Sequence, residues 1–189
     1  EVGELVRLDV SLTFKLLRFM NSAWFGFRSK IRSIQHALVL LGPAEIRKWF
    51  TVTAMRHMGT DKPEELVLRS LIRARAAELI APGVGLADDT EATFLVGMFS
   101  LVDALMDWPM RDVMEMLPLT ERVEVALMAD EGPFGPLLKL MRDYEAGRWE
   151  AFSERAAGLD VSEQRVATLF QGARRWADEI MECSPLAVQ

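Results

Sequence analysis

The stretch ATFLVGMFSLV, residues 92–102, decides the fold of this 189-residue chain. Apolar side chains occupy all sides of the helix that it predicts: Phe94, Leu95, Val96, Met98, Phe99 and Leu101. A helix that is apolar all round belongs at the buried centre of a bundle. Gly97 and Ser100 are small enough to let neighbouring helices approach closely. We therefore expect one buried helix over residues 92–102, with other helices packed around it.

The rest of the chain also shows helical periodicity. Apolar stripes begin at Leu12, Ile34, Leu137 and Val166, and no window alternates apolar and polar residues long enough to predict a strand. The segment EGPFGP, residues 131–136, is rich in turn-forming residues and marks the best candidate boundary. The sequence therefore predicts an all-α protein with a core over residues 1–130. A C-terminal helical extension over residues 131–189 is expected to pack on that core.

Composition limits where the chain acts. Half of the residues are hydrophobic, which excludes a disordered chain. No apolar run approaches the roughly 18 residues of a membrane span, and no signal peptide is visible, so we expect a cytoplasmic protein without a membrane partner. Its single cysteine, Cys183, excludes a disulfide framework or a thiolate zinc site. The chain starts at Glu1 in a segment that already reads as helix, so we expect a piece of a longer protein.

The formal net charge of −6 is unevenly distributed. Residues 1–60 contain 9 Lys and Arg against 4 Asp and Glu, whereas residues 61–189 contain 13 against 24. Phosphate contacts need a concentrated basic surface, so the overall acidity argues against nucleic acid as the main partner. The basic first third keeps open a role in binding nucleotides. It also fits a solvated face complementary to an acidic partner.

Catalytic patterns are scarce. The two histidines, His36 and His57, have no metal-ligating neighbours at helical spacing, so we interpret them as ordinary helical residues. Asp103 and Asp107 share a helix face and could bind a cation or share a proton, although a solvated acidic edge is the favoured interpretation. There is no glycine-rich phosphate loop and no serine elbow. The arginine pairs 73/75 and 174/175 are more typical of solvated side chains than of an anion site. We predict no catalytic residue, no metal and no cofactor.

One loop combines aromatic and basic residues. Such a surface suits contact with another protein, although the same aromatic rings would also fill the end of a helical bundle. Both interpretations remain open. The residues are Trp24, Phe25 and Phe27, flanked by Arg28, Lys30 and Arg32.

The sequence resembles a known family in two ordered motifs, DVSLTFKLLRFMNSAWFG (residues 9–26) and IRSIQHALVLLG (residues 31–42). Together they resemble the signature of the HDOD family. Within them we interpret Asn21, Ser22, Gly26 and Gly42 as structural residues, with the two polar side chains bonded to backbone at the helix end. A ligand site at Asn21 and Ser22 is the alternative.

Two later segments, GMFSLVDAL (residues 97–105) and LKLMRDYEAGRW (residues 138–149), resemble the C-terminal half of proteins that join an EAL domain to an HDOD domain. The resemblance covers essentially the whole chain, although the family's first helix is expected to be cut off.

The resemblance implies an HD-like helical bundle without catalytic activity. In HD phosphohydrolases the central helix carries a metal-binding His-Asp doublet, whereas this chain has Ser100 and Leu101 at that place. The upstream metal-binding histidine would fall near Arg69 or Ser70, and Asp103 is the acidic residue left nearby. Serine, leucine and arginine do not supply divalent-metal ligands at these positions.

The resemblance also implies a regulatory module of bacterial cyclic-di-GMP signalling. Its expected partners are other signalling proteins or an upstream EAL domain of the same chain. Two alternatives remain: a diverged metal-dependent phosphohydrolase using Asp103, and a nucleotide-binding sensor using the basic first third. The sequence gives no oligomeric state.

Overall fold

The computed structural model describes residues 42, 45, 48, 51–54 and 63–182. The chain divides into two compact units, one of Glu1–His57 with Asp178–Gln189 and the other of Met58–Ala177. The described residues contain no strand. Within residues 63–182 the helices are α1 (Glu64–Ile80), α2 (Thr90–Phe99), α3 (Val102–Met106), α4 (Met110–Met116), α5 (Glu121–Ala129), α6 (Gly135–Glu145), α7 (Trp149–Gly158) and α8 (Glu163–Glu182).

This architecture confirms the prediction of an all-α, HD-like helical bundle. The helices of the second unit lie on both sides of residue 130, where the sequence predicts a domain boundary. That boundary stays a prediction.

Helix α1 begins directly after Pro63, and Glu64 and Glu65 place negative charge in its first turn, where the helix dipole favours it. It ends at Ile80. The chain then makes a 3-10 turn, Ala81–Val84, and Gly85 follows with a φ of +79°, a left-handed conformation that glycine adopts without strain.

Helices α1 and α2 cross at the closest packing of the bundle. A Cβ atom at Gly97 would overlap the backbone of Arg73 and Ala74, so only glycine permits this approach. Phe94 and Met98, four residues apart, are buried on one side of α2 and Val96 is buried on the opposite side, as expected of a central helix. The prediction that Gly97 admits a close neighbour is therefore confirmed.

The single helix predicted over residues 92–102 is wrong in its extent. Helix α2 ends at Phe99, and α3 begins at Val102. The Ser100 hydroxyl donates to the Gly97 carbonyl at 2.8 Å, and the Ser100 N–H bonds to the same carbonyl, which tightens the last turn. Ser100 and Leu101, the predicted doublet positions, therefore lie at a turn between two helices.

The later helices follow the sequence closely. Pro109 precedes α4, and Thr120 precedes α5 without a side-chain capping bond. Ser162 does cap α8, because its hydroxyl accepts the Arg165 N–H at 3.2 Å. The predicted stripes of α6 and α8 are buried, including Leu140 and Val166.

In the first unit, the described residues between positions 42 and 54 are helical. Lys48 pairs with Glu45 at 2.6 Å, and Val52 is buried. Gly42, a predicted structural residue, has a φ of +72°. Among the described helices of the whole chain, none has the length and apolar character needed to cross a membrane.

Candidate functional site

A buried arginine lies where the central helix ends. Arg73 projects from α1 and its Nη1 donates to the Ser100 hydroxyl oxygen at 3.1 Å. On its other side, Nε and Nη2 donate to the Glu145 carboxylate of α6, at 2.8 and 2.6 Å to Oε2. The side chains of Arg73 and Glu145 are only 10% and 17% exposed. We call these three residues the Arg73 network.

The Arg73 network joins three helical segments through one guanidinium. Bidentate hydrogen bonds between guanidinium and carboxylate are geometrically specific and stronger than neutral ones. Ser100, which is 4% exposed, accepts from Arg73 while its own proton goes to the Gly97 carbonyl. The serine hydroxyl thus both donates and accepts a hydrogen bond within the protein.

The other residues at the predicted metal-site positions are not members of the Arg73 network. Arg69 is one turn earlier on α1 and pairs with Glu65 at 3.0 Å. Ser70 is buried and donates to the Leu66 carbonyl. Among the described residues, no hydrogen bond or ion pair joins Asp103 to Arg69 or Ser100, and Leu101 is partly exposed.

Metal-ligating groups do not converge in the part of the chain that the structure describes. No cluster of three His, Cys, Asp or Glu residues occurs there. Asp103 lies in the first turn of α3, and Asp107 follows its last turn with a φ of +54°. The pair therefore brackets a short helix, with Asp107 in the left-handed conformation that ends it.

A pocket of about 450 Å³ opens beside the Arg73 network. Glu145 belongs to both, since its carboxylate binds Arg73 and its side chain lines the pocket. The walls come from α1, α6, α8 and the start of α7. Prominent lining residues are Arg69, Tyr144, Trp149, Phe170 and Arg174.

Aromatic rings form one wall of this pocket. Tyr144 stacks on Phe170 with ring centroids 4.4 Å apart and an interplanar angle of 29°. Trp149 meets Tyr144 edge-on at 6.0 Å. Although it lines a pocket, Trp149 is 60% exposed, which is unusual for an indole that packs only as core.

A second charged centre lies two residues before Glu145. Asp143 accepts from Arg148 at 2.8 Å and from Arg155 at 2.7 Å. Burial would raise the pKa of the Asp143 carboxyl, but the hydrogen bonds and charges of the two arginines outweigh it and lower that pKa. This centre holds the start of α7, and with it Trp149, against α6.

The expectation that Arg73 and Arg75 are solvated is wrong. Arg73 is 8% exposed, and Arg75 pairs with Glu78 in a partly buried position. One feature of the sequence indicates the burial of Arg73: it lies three residues after Ser70 and four before Ala77, on the buried face of α1. Nothing local indicates its partner Glu145, which is 72 residues away.

The predicted interaction surface lies outside the described residues. It comprises Trp24, Phe25, Phe27, Arg28, Lys30 and Arg32. The motif residues Asn21, Ser22 and Gly26 also lie outside them, as do His36 and His57.

Comparison with known proteins identifies the family. A model of the HDOD domain matches residues 1–107, which is more than half of the chain. The chain therefore belongs to the HDOD domain family. Arg73 and Ser100 lie inside the matched region, and Glu145 lies beyond it.

Two relatives match nearly the whole chain. It is 35% identical over 179 residues to "Cyclic di-GMP phosphodiesterase CdgJ" of Vibrio cholerae, an alignment that covers 95% of this chain and 41% of that protein. It is 32% identical over 184 residues to "Uncharacterized protein YuxH" of Bacillus subtilis, covering 96% of this chain and 44% of that protein. The chain thus spans less than half the length of either relative. No solved structure matches the chain significantly.

Proposed function

We propose that this chain is a non-catalytic signalling module that acts by binding other proteins, as the output part of a protein of cyclic-di-GMP signalling. The observation that carries the proposal is the Arg73 network. At Ser100, which the resemblance aligns with the metal-binding doublet of HD phosphohydrolases, a guanidinium bonds to the hydroxyl and is neutralised by Glu145.

The electrostatics of this arrangement favour the absence of a metal. A divalent cation beside Ser100 would face the fixed positive charge of Arg73 at short range. It would also have to take Glu145 from Arg73 and leave a buried guanidinium unpaired, which is costly. The Arg73 network thus supports a structural role for Ser100 and Arg73.

The proposed setting follows from the relatives. A protein named as a cyclic di-GMP phosphodiesterase is similar to 95% of this chain, over 41% of its own length. We propose that an EAL domain upstream in the same protein supplies the enzymatic activity, and that the present chain transmits its state to a signalling partner.

Turnover tests the non-catalytic half of the proposal. The purified chain is incubated with cyclic di-GMP and Mn²⁺, and products are followed by liquid chromatography. We expect no turnover above the rate of the same reaction without protein. Turnover by the wild-type chain that Asp103→Asn abolishes would instead establish the diverged phosphohydrolase.

Partner capture tests the interaction half. The full-length protein, carrying a photo-cross-linker at position 24, is expressed in its own cells. Cross-linked proteins are quantified against the same protein with Arg28→Glu and Arg32→Glu. We expect a defined signalling protein whose capture falls at least fivefold in the charge-reversed variant. Equal capture by both proteins would contradict an interface at this surface.

A further inference from the structure

The pocket beside the Arg73 network has the size of a small-ligand site. Its volume of about 450 Å³ lies within the usual range for such sites, and all of its walls belong to the second unit. Three helices and the start of α7 converge there, so its lining residues are held by the packed bundle. The Asp143 centre anchors the α6–α7 corner through Arg148 and Arg155.

The aromatic wall is suited to a flat ring. The stacked Tyr144 and Phe170 rings are fixed against each other, whereas Trp149 stands edge-on to Tyr144. Because Trp149 is 60% exposed, much of its indole surface lies in water. A planar heteroaromatic ring that covered this surface would bury apolar area and gain stacking contacts.

Two guanidinium groups lie at the rim, Arg69 on α1 and Arg174 on α8. Arg69 is engaged by Glu65, but both side chains of that pair are more than half exposed. An ion pair so exposed contributes little stability, so a phosphate group can compete for Arg69 at low cost. The neighbouring Gln171 offers an amide that both donates and accepts hydrogen bonds.

We propose that this pocket binds a purine nucleoside monophosphate. The base would stack on the exposed indole of Trp149 and meet the Tyr144–Phe170 pair edge-on, since Trp149 lies at 83° to Tyr144. The phosphate would bind Arg69 and Arg174.

The two carboxylates in the lining, Glu65 and Glu145, are each paired with an arginine. Flat rings and two arginines within one small cavity fit a ligand with one flat ring and one anionic group better than an extended peptide. This site is distinct from the basic first third of the chain, where the sequence suggested nucleotide binding.

Calorimetric titration with defined probes tests the site. GMP and AMP are titrated into the chain, together with guanosine, ribose 5-phosphate and inorganic phosphate. We expect at least one of the two nucleotides to bind with a dissociation constant below about 1 mM. Guanosine and ribose 5-phosphate each lack one of the two recognised groups and should bind at least tenfold more weakly.

Matched variants locate the binding. Trp149→Ala and Arg174→Ala should each weaken nucleotide binding by about 5- to 150-fold, the range for loss of one stacking or charged contact. Trp108→Ala and Arg175→Ala are the controls, because Trp108 is also about half exposed and Arg175 adjoins Arg174, yet neither lines the pocket. Both controls should change the dissociation constant less than twofold. Trp149→Phe keeps a ring and should retain most of the affinity.

Several results would overturn the proposal. These are no binding of GMP or AMP, inorganic phosphate binding as tightly as the nucleotides, or equal losses in the controls and the pocket variants. Circular dichroism melting of each variant separates loss of binding from loss of folding. The pocket is instead a protein-docking site if nucleotides do not bind to it, a peptide with aromatic and acidic side chains does, and binding of that peptide is lost in Trp149→Ala. Nucleotide binding does not depend on the proposed protein-interaction function, so either can fail alone.

Discussion

Removing the charge of Glu145 tests the energetic role of the Arg73 network most sharply. Arg73 donates its bonds to Glu145 and Ser100 while only 10% of its side chain is exposed. In Glu145→Gln the guanidinium stays buried with a neutral partner, and breaking a buried ion pair from one side costs about 3–5 kcal/mol. The residual exposure of Glu145 admits some water, so we expect about 2–4 kcal/mol of lost stability.

Urea unfolding followed by circular dichroism measures this loss as a change in midpoint at constant slope. The matched control is Glu65→Gln, which removes the partner of Arg69 in an exposed pair and should cost less than about 1 kcal/mol. The double variant Arg73→Met with Glu145→Leu should recover part of the loss, because no buried charge is left. If Glu145→Gln cost no more than Glu65→Gln, the reasoning about the buried pair would be refuted.

Three further perturbations have defined outcomes. Gly97→Ala should lower the free energy of unfolding in urea by at least about 1–3 kcal/mol, because the added methyl group overlaps the backbone of α1. An unchanged urea midpoint would contradict the close crossing of α1 and α2. Asp143→Asn should lower stability by about 1–3 kcal/mol near neutral pH. The pKa of Asp143 is depressed in the folded state, so its contribution is complete above about pH 5 and is lost as the pH falls below 3.8 toward the folded pKa. The difference in stability between wild type and Asp143→Asn should therefore shrink as the pH falls. A difference that grows on acidification would contradict the depressed pKa. Ser162→Ala should cost about 1 kcal/mol through loss of the α8 cap, whereas Ser153→Ala, within α7, should cost less.

Local features of the sequence predict most of the described fold. Hydrophobic spacing places the buried faces of α6 and α8, and the capping residue Ser162 fixes the start of α8. The all-round apolar stretch identifies α2 as central, and Gly97 marks its crossing with α1. These features depend on residues within a few turns of one another, which is why periodicity and capping rules detect them.

The features that the sequence does not predict depend on contacts between distant residues, or on a side chain that bonds to the backbone within a turn. Helix α2 ends at Phe99 because Ser100 bonds to the Gly97 carbonyl. The spacing of hydrophobic residues does not predict this hydrogen bond. The ion pair of Arg73 with Glu145 needs two helices 72 residues apart in sequence to meet. The pocket likewise combines residues from α1, α6, α7 and α8, so no single segment of the sequence predicts it.

The metal content of the purified chain tests the central claim most directly. The chain is incubated with excess Mn²⁺, freed of unbound metal by gel filtration, and analysed for manganese by mass spectrometry, with Arg73→Ala treated identically. Because Arg73 bonds to Ser100 and is neutralised by Glu145, we predict far less than one manganese ion per wild-type chain. One tightly held ion per chain, lost when Asp103 is changed to Asn, would contradict the account.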